Sequence, residues 1–167
     1  MRVSARTMVL LGLLSCRPGG DQSALRRAAA EKDPAYAGVQ ARGEVAMGVD
    51  QFTSSHVFEP LADGGRIVLQ RDADDSAGAA RIHRHMEEIA ARFAAGDFTL
   101  PGYVHARPVP GTDVMRASRD AIRYVVESLP RGAAVRVHGS DPETVRAIHA
   151  FLAFQREDHH AAAHHDR

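Results

Sequence analysis

A chain of 167 residues with 44% apolar side chains and a formal charge of zero is long enough for one hydrophobic core and short for two. The charge balance, in which all but one of the basic residues are arginine, excludes the electrostatic footprint of a nucleic-acid partner. With no tryptophan and few other aromatics, the chain also lacks the material for a base-stacking or carbohydrate-stacking platform.

Residues 1–16, MRVSARTMVLLGLLSC, place Arg2 and Arg6 ahead of an apolar run from Met8 to Leu14. The run is too short to span a bilayer, which takes about 20 residues, and it reads as an export signal. Its end, Leu13-Leu14-Ser15-Cys16, resembles the bacterial lipoprotein signal. That resemblance implies cleavage before Cys16, lipidation of its sulfur, and a domain held on a membrane by acyl chains at about 0.8 kcal/mol per buried CH₂. Cys16 is the only cysteine, so no intramolecular disulfide can form even in an oxidising compartment. Arg17 rather than Asp follows it, which favours the periplasmic face of the outer membrane. A start codon further along would instead leave a cytoplasmic domain.

Residues 17–46 mix Pro, Gly, Ala and charges without a sustained apolar period, and they read as a flexible tether. A domain over residues 47–158 follows. SSHVFEPLADGGRIVLQR has two β-favouring runs around Ala62-Asp63-Gly64-Gly65, a Gly-rich link suited to a hairpin. A helix is predicted next: Asp74, Asp75 or Ser76 can cap it, Ile82, Met86, Ile89 and Phe93 recur at helical spacing, and Gly96 stops it. Asp97 to Met115 reads as a long Pro/Gly-rich loop of the kind that often carries function. Strands are predicted over Ala121–Ser128 and Ala133–His138 around Pro130-Arg131-Gly132, then a helix from Asp141 with Pro142 in its first turn.

The order ββα thus occurs twice. Sliding one half on the other sets Gly65 opposite Gly132, Asp75 opposite Asp141, Ile82 opposite Ile148, His83 opposite His149 and Met86 opposite Leu152. The expectation is an α+β fold from a duplicated ββα unit, with a four-stranded antiparallel sheet and two helices on one face. Residues 159–167 read as a His-rich disordered tail in which His160 and His164 stand at i, i+4.

The histidines carry the functional question. Directions on a helix turn by about 100° per residue, so His83 and His85 diverge; His83 flanks the apolar stripe and His85 is expected at the solvent side. If the two helices pack side by side, His83 and His149 face each other near the pseudo-twofold axis. With Met86 one turn away and His105 and Met115 on the long loop, these five residues form a candidate copper or zinc site. The reading is of a lipid-anchored envelope accessory protein with no catalytic residue assigned. An interaction module binding an envelope protein partner without metal is the alternative, and a small hydrolase-like enzyme pairing His105 with Asp113 is the third. His56 and His138 read as strand-end polar residues. The chain has no GxSxG elbow, phosphate loop or HExxH.

The stretches MGVDQFTSSHVFEPLADGGRIVLQ, RIHRHMEEIAARFAAGDFTLPGYVHARPVPGTDVM and AIHAFLAFQREDH resemble a group of small bacterial proteins, over Met47 to His159. Some of that group carry the name aspartate carbamoyltransferase. The chain has no Ser-Thr-Arg-Thr phosphate-binding stretch, with ASRD at Ala117 to Asp120 no substitute for it, so the resemblance implies one domain and supplies no activity.

Overall fold

The computed structural model describes residues 22–161, so the expectations for Cys16 and His164 lie outside the described residues. Two hairpins, β1 (Ser54–Leu61) with β2 (Gly64–Arg71) and β3 (Ile122–Leu129) with β4 (Gly132–Gly139), join through their inner strands. The result is one antiparallel sheet of order β1-β2-β4-β3. Each turn has two residues, Ala62-Asp63 and Pro130-Arg131, tighter than the four-residue link expected because Gly64 already pairs with Leu61. Ile67, fourth in β2, stands opposite Val135, fourth in β4, and this register makes the two ββα halves meet about a pseudo-twofold.

Two long helices cover one face of the sheet. α3 (Ser76–Ala94) starts at Asp75, whose carboxylate accepts from the Gly78 N–H. α6 (Pro142–Asp158) starts at Asp141, which accepts from Glu143 and Thr144, with Pro142 pre-set for the first turn. Ile82 and Met86 of α3 and Ile148 and Leu152 of α6 share a core with Ile67, Leu69, Ala133, Val135 and Val137, the inward residues of the inner strands. Gly65 allows the close approach of α6, since a Cβ there would lie 2.1 Å from Leu152 Cδ1. Each helix lies chiefly over the other half's hairpin: α3 crosses β3 and β4, while α6 crosses β1 and β2. The opposite sheet face mixes polar and apolar side chains, with Arg66 paired to Glu127 at 2.8 Å beside Val68 and Ala134.

Two expectations are corrected. Of the residues expected as tether, 22–46 form helices α1 (Gln22–Lys32) and most of α2 (Pro34–Met47). α2 is capped by Asp33, closed by Gly48 at φ 68°, and buries Tyr36, Val39, Gln40 and Gly43. That face is mixed in polarity, so it has no apolar stripe to read; polar ties dock the segment instead. Arg26 Nε donates to the Phe52 carbonyl at 2.9 Å, and Arg42 Nε donates to the Val104 carbonyl at 2.7 Å. The region expected as a loop contains α4 (Thr99–His105) and α5 (Thr112–Ala117). Pro101 sits in the first turn of α4, where its missing N–H leaves no helical bond unmade. Phe98, Val109 and Met115 anchor this region in the core. Among the described residues no helix is long and apolar enough to cross a membrane.

Candidate functional site

β1 alternates so that His56 and Phe58 face the helices, opposite Leu69 and Ile67 of β2. α3 sets His85 three residues after Ile82, α4 ends at His105, and α6 is capped by His159, four residues beyond Gln155. These four histidines, from four different elements, line one cavity of about 80 Å³. Met47 at the end of α2 and Met86 on α3 also line it, and Phe58, Ile67, Leu69, Phe93 and Phe151 are among its apolar walls. Among the described residues no wall side chain carries a hydroxyl, thiol, amine or carboxylate, and Gln155 is the one polar side chain besides the histidines.

Three of the rings are in contact through His159. His56 stacks on His159 with centroids 4.8 Å apart, and His105 meets His159 edge-on at 5.1 Å. His105 is held at both ring nitrogens, with Nδ1 2.5 Å from the Asp158 carboxylate and Nε2 2.9 Å from Gln155 Oε1. Asp158 is also paired with Arg107. Burial lowers the His56 pKa to about 4, helped by the positive charge of Arg26 and by His85. Burial likewise lowers His85 to about 4; Glu88 works against it and Arg92 with it. His159 is pushed well below the usual value by burial and then by the neighbouring histidines, and its Nδ1 is buried with no hydrogen-bond partner.

Of the five residues expected at a metal site, the structure brings Met86 and His105 together at the cavity and separates the rest. His83 Nε2 lies 2.8 Å from Ser128 Oγ on β3, whereas the His149 ring N–H donates to the Leu61 carbonyl on β1 at 2.8 Å. β1 and β3 are opposite edges of the sheet, three strand spacings or about 14 Å apart. The expected facing pair is therefore not formed. Because each helix crosses the other half's hairpin, the equivalent histidines do the same structural job at opposite edges, each tying a helix to an edge strand. Met115 is buried in the core on α5 and is not part of the cavity wall.

The other side chains also differ from expectation. His85, expected toward solvent, is buried because Ala46 and Met47 at the end of α2 cover that flank of α3. His159, expected in a loose tail, is 9% exposed and extends the buried α6 series Ile148, Phe151, Leu152, Gln155. His160 stacks on Tyr36 at 4.0 Å. Asp113 pairs with Arg116 in solvent, so the carboxylate on His105 is Asp158 instead. His138 is an exposed partner of Asp63, as a strand-end residue should be. Three of these site residues had a readable signal: His56 has the parity of Phe58, His85 stands at i+3 from Ile82, and His159 stands at i+4 from Gln155.

Among the described residues no group of three or more His, Cys, Asp or Glu side chains is already arranged to hold a metal ion. A bound ion would require the rings to turn from stacking toward a common point. Comparison with protein-family models, curated proteins and solved structures gave no match for this chain.

Proposed function

We propose that the protein is a metal-binding accessory protein of the cell envelope, holding a transition metal such as copper or zinc in the histidine-lined cavity. The observation that carries the reading is the convergence of His56, His105 and His159, ring against ring, on a cavity where the buried His159 Nδ1 has no partner. Neutral imidazole nitrogens and thioethers are good donors to copper, and imidazole also serves zinc. The test is metal content after equilibrium dialysis of the full chain in detergent micelles. About one ion per chain is expected, lost in His56→Ala and His159→Ala. His149→Ala should keep the ion and lose only about 1 kcal/mol of stability from its hydrogen bond to Leu61. A wild-type chain that retains neither copper nor zinc overturns the reading.

Membrane attachment through lipidated Cys16 belongs to the same proposal and rests on the signal-like residues 1–16. The wild-type chain is expected in the detergent phase of a phase-separating extraction and Cys16→Ser in the aqueous phase. Equal partitioning of the two would remove the anchor from the proposal.

A further inference from the structure

We propose that the cavity selects a soft monovalent cation of the cuprous class over divalent zinc; this deepens the metal-site reading above and rests on it. The first argument is charge. Among the described residues no carboxylate lines the cavity, and Asp158 stands behind His105 at Nδ1 and is shared with Arg107. A cation entering these walls meets no anionic side chain among the described residues. The cost of moving an ion from water into a low-dielectric site grows with the square of its charge, so a divalent ion pays about four times what a monovalent ion of equal size does. Zinc sites commonly offset that cost with thiolate or carboxylate ligands, and among the described residues neither lines this cavity.

Donor softness is the second argument. Met47 and Met86 line the cavity together with the histidines, and thioether sulfur favours cuprous copper. Coordination number is the third. Zinc in a structural site takes four ligands in a tetrahedron. His56 and His159 already stand ring to ring, with His159 Nδ1 unpartnered and the residue nine-tenths buried, whereas His105 has both nitrogens engaged. A site of two imidazoles completed by a thioether leaves those His105 contacts intact; four imidazoles on one ion would break them.

The experiment titrates the full chain in detergent micelles with three probes: cuprous ion against a chromogenic cuprous chelator under anaerobic conditions, silver ion as its redox-inert analogue, and Zn²⁺ against a zinc dye. Cuprous and silver ions are expected to bind at least about 100-fold more tightly than Zn²⁺. Met86→Leu, which keeps the volume, is expected to weaken silver binding about tenfold and leave Zn²⁺ unchanged. Silver should also shift the methionine methyl and His159 ring signals in NMR spectra of the folded chain. Zinc binding equal to or tighter than silver overturns the selectivity while leaving a metal site standing. Silver affinity unaltered by Met86→Leu and by Met47→Leu removes the thioether argument and overturns it as well. Retention of none of the three overturns both this inference and the reading beneath it.

Discussion

Taking the metal-free protein from pH 7 to pH 4 is expected to cost it several kcal/mol of stability, most of it before the carboxylates begin to titrate. His56 and His85 are held near pH 4 by burial, against an ordinary value of 6.5. Between those values the unfolded chain binds protons at both rings and the folded chain does not, so stability falls as pH falls through the window. The loss amounts to roughly 2–3 kcal/mol for each ring, comparable in sum with the lower end of a domain's total stability. His159, lowered by the same burial, adds in the same direction. Asp63, Asp75, Asp97 and Asp141 are all held below the usual carboxylate value of 3.8, so their contribution stays in place above about pH 4 and is lost only below it. Urea midpoints followed by circular dichroism at pH 7 and pH 4.5 measure the effect. His85→Leu should flatten part of the slope, and a midpoint independent of pH across this range would refute the neutral, buried state of these rings.

Gly111→Ala is expected to destabilise the fold by about 3 kcal/mol or more, through backbone strain together with overpacking. Gly111 precedes α5 at φ 82°, a conformation that costs an L side chain. Its absent Cβ would lie 2.1 Å from the Ala147 carbonyl oxygen and 3.0 Å from the carbonyl carbon, backbone atoms of α6 that cannot yield without moving the helix. Because α6 also positions Gln155, Asp158 and His159, the damage should reach the cavity. Gly102→Ala is the control. It sits within α4 with open space around the would-be Cβ, so alanine there should be neutral or stabilising by about 0.5–1 kcal/mol. Equal denaturant midpoints for the two variants would disprove the close docking of α5 on α6.

The hairpins, both long helices and their caps were legible because each rests on local chemistry. Asp75 and Asp141 cap the backbone a few residues ahead, Pro142 pre-sets a first turn, and the inward strand residues alternate at the period of the backbone itself. The ββα order repeated twice was legible for the same reason, and so was the equivalence of His83 with His149.

What that equivalence meant was decided by tertiary packing. Each long helix lies across the hairpin of the other half, and this carries the two equivalent histidines to opposite edges of the sheet. Docking of α1 through Arg26 and of α2 through Arg42 and a mixed face brought Ala46 and Met47 beside His85, although no apolar periodicity marked that segment. Spacing along a chain sets which residues share a face of an element. Which faces meet, and so which histidines share a cavity, depends on long-range contacts whose energy is spread over many non-local pairs and leaves no mark in any short window of sequence.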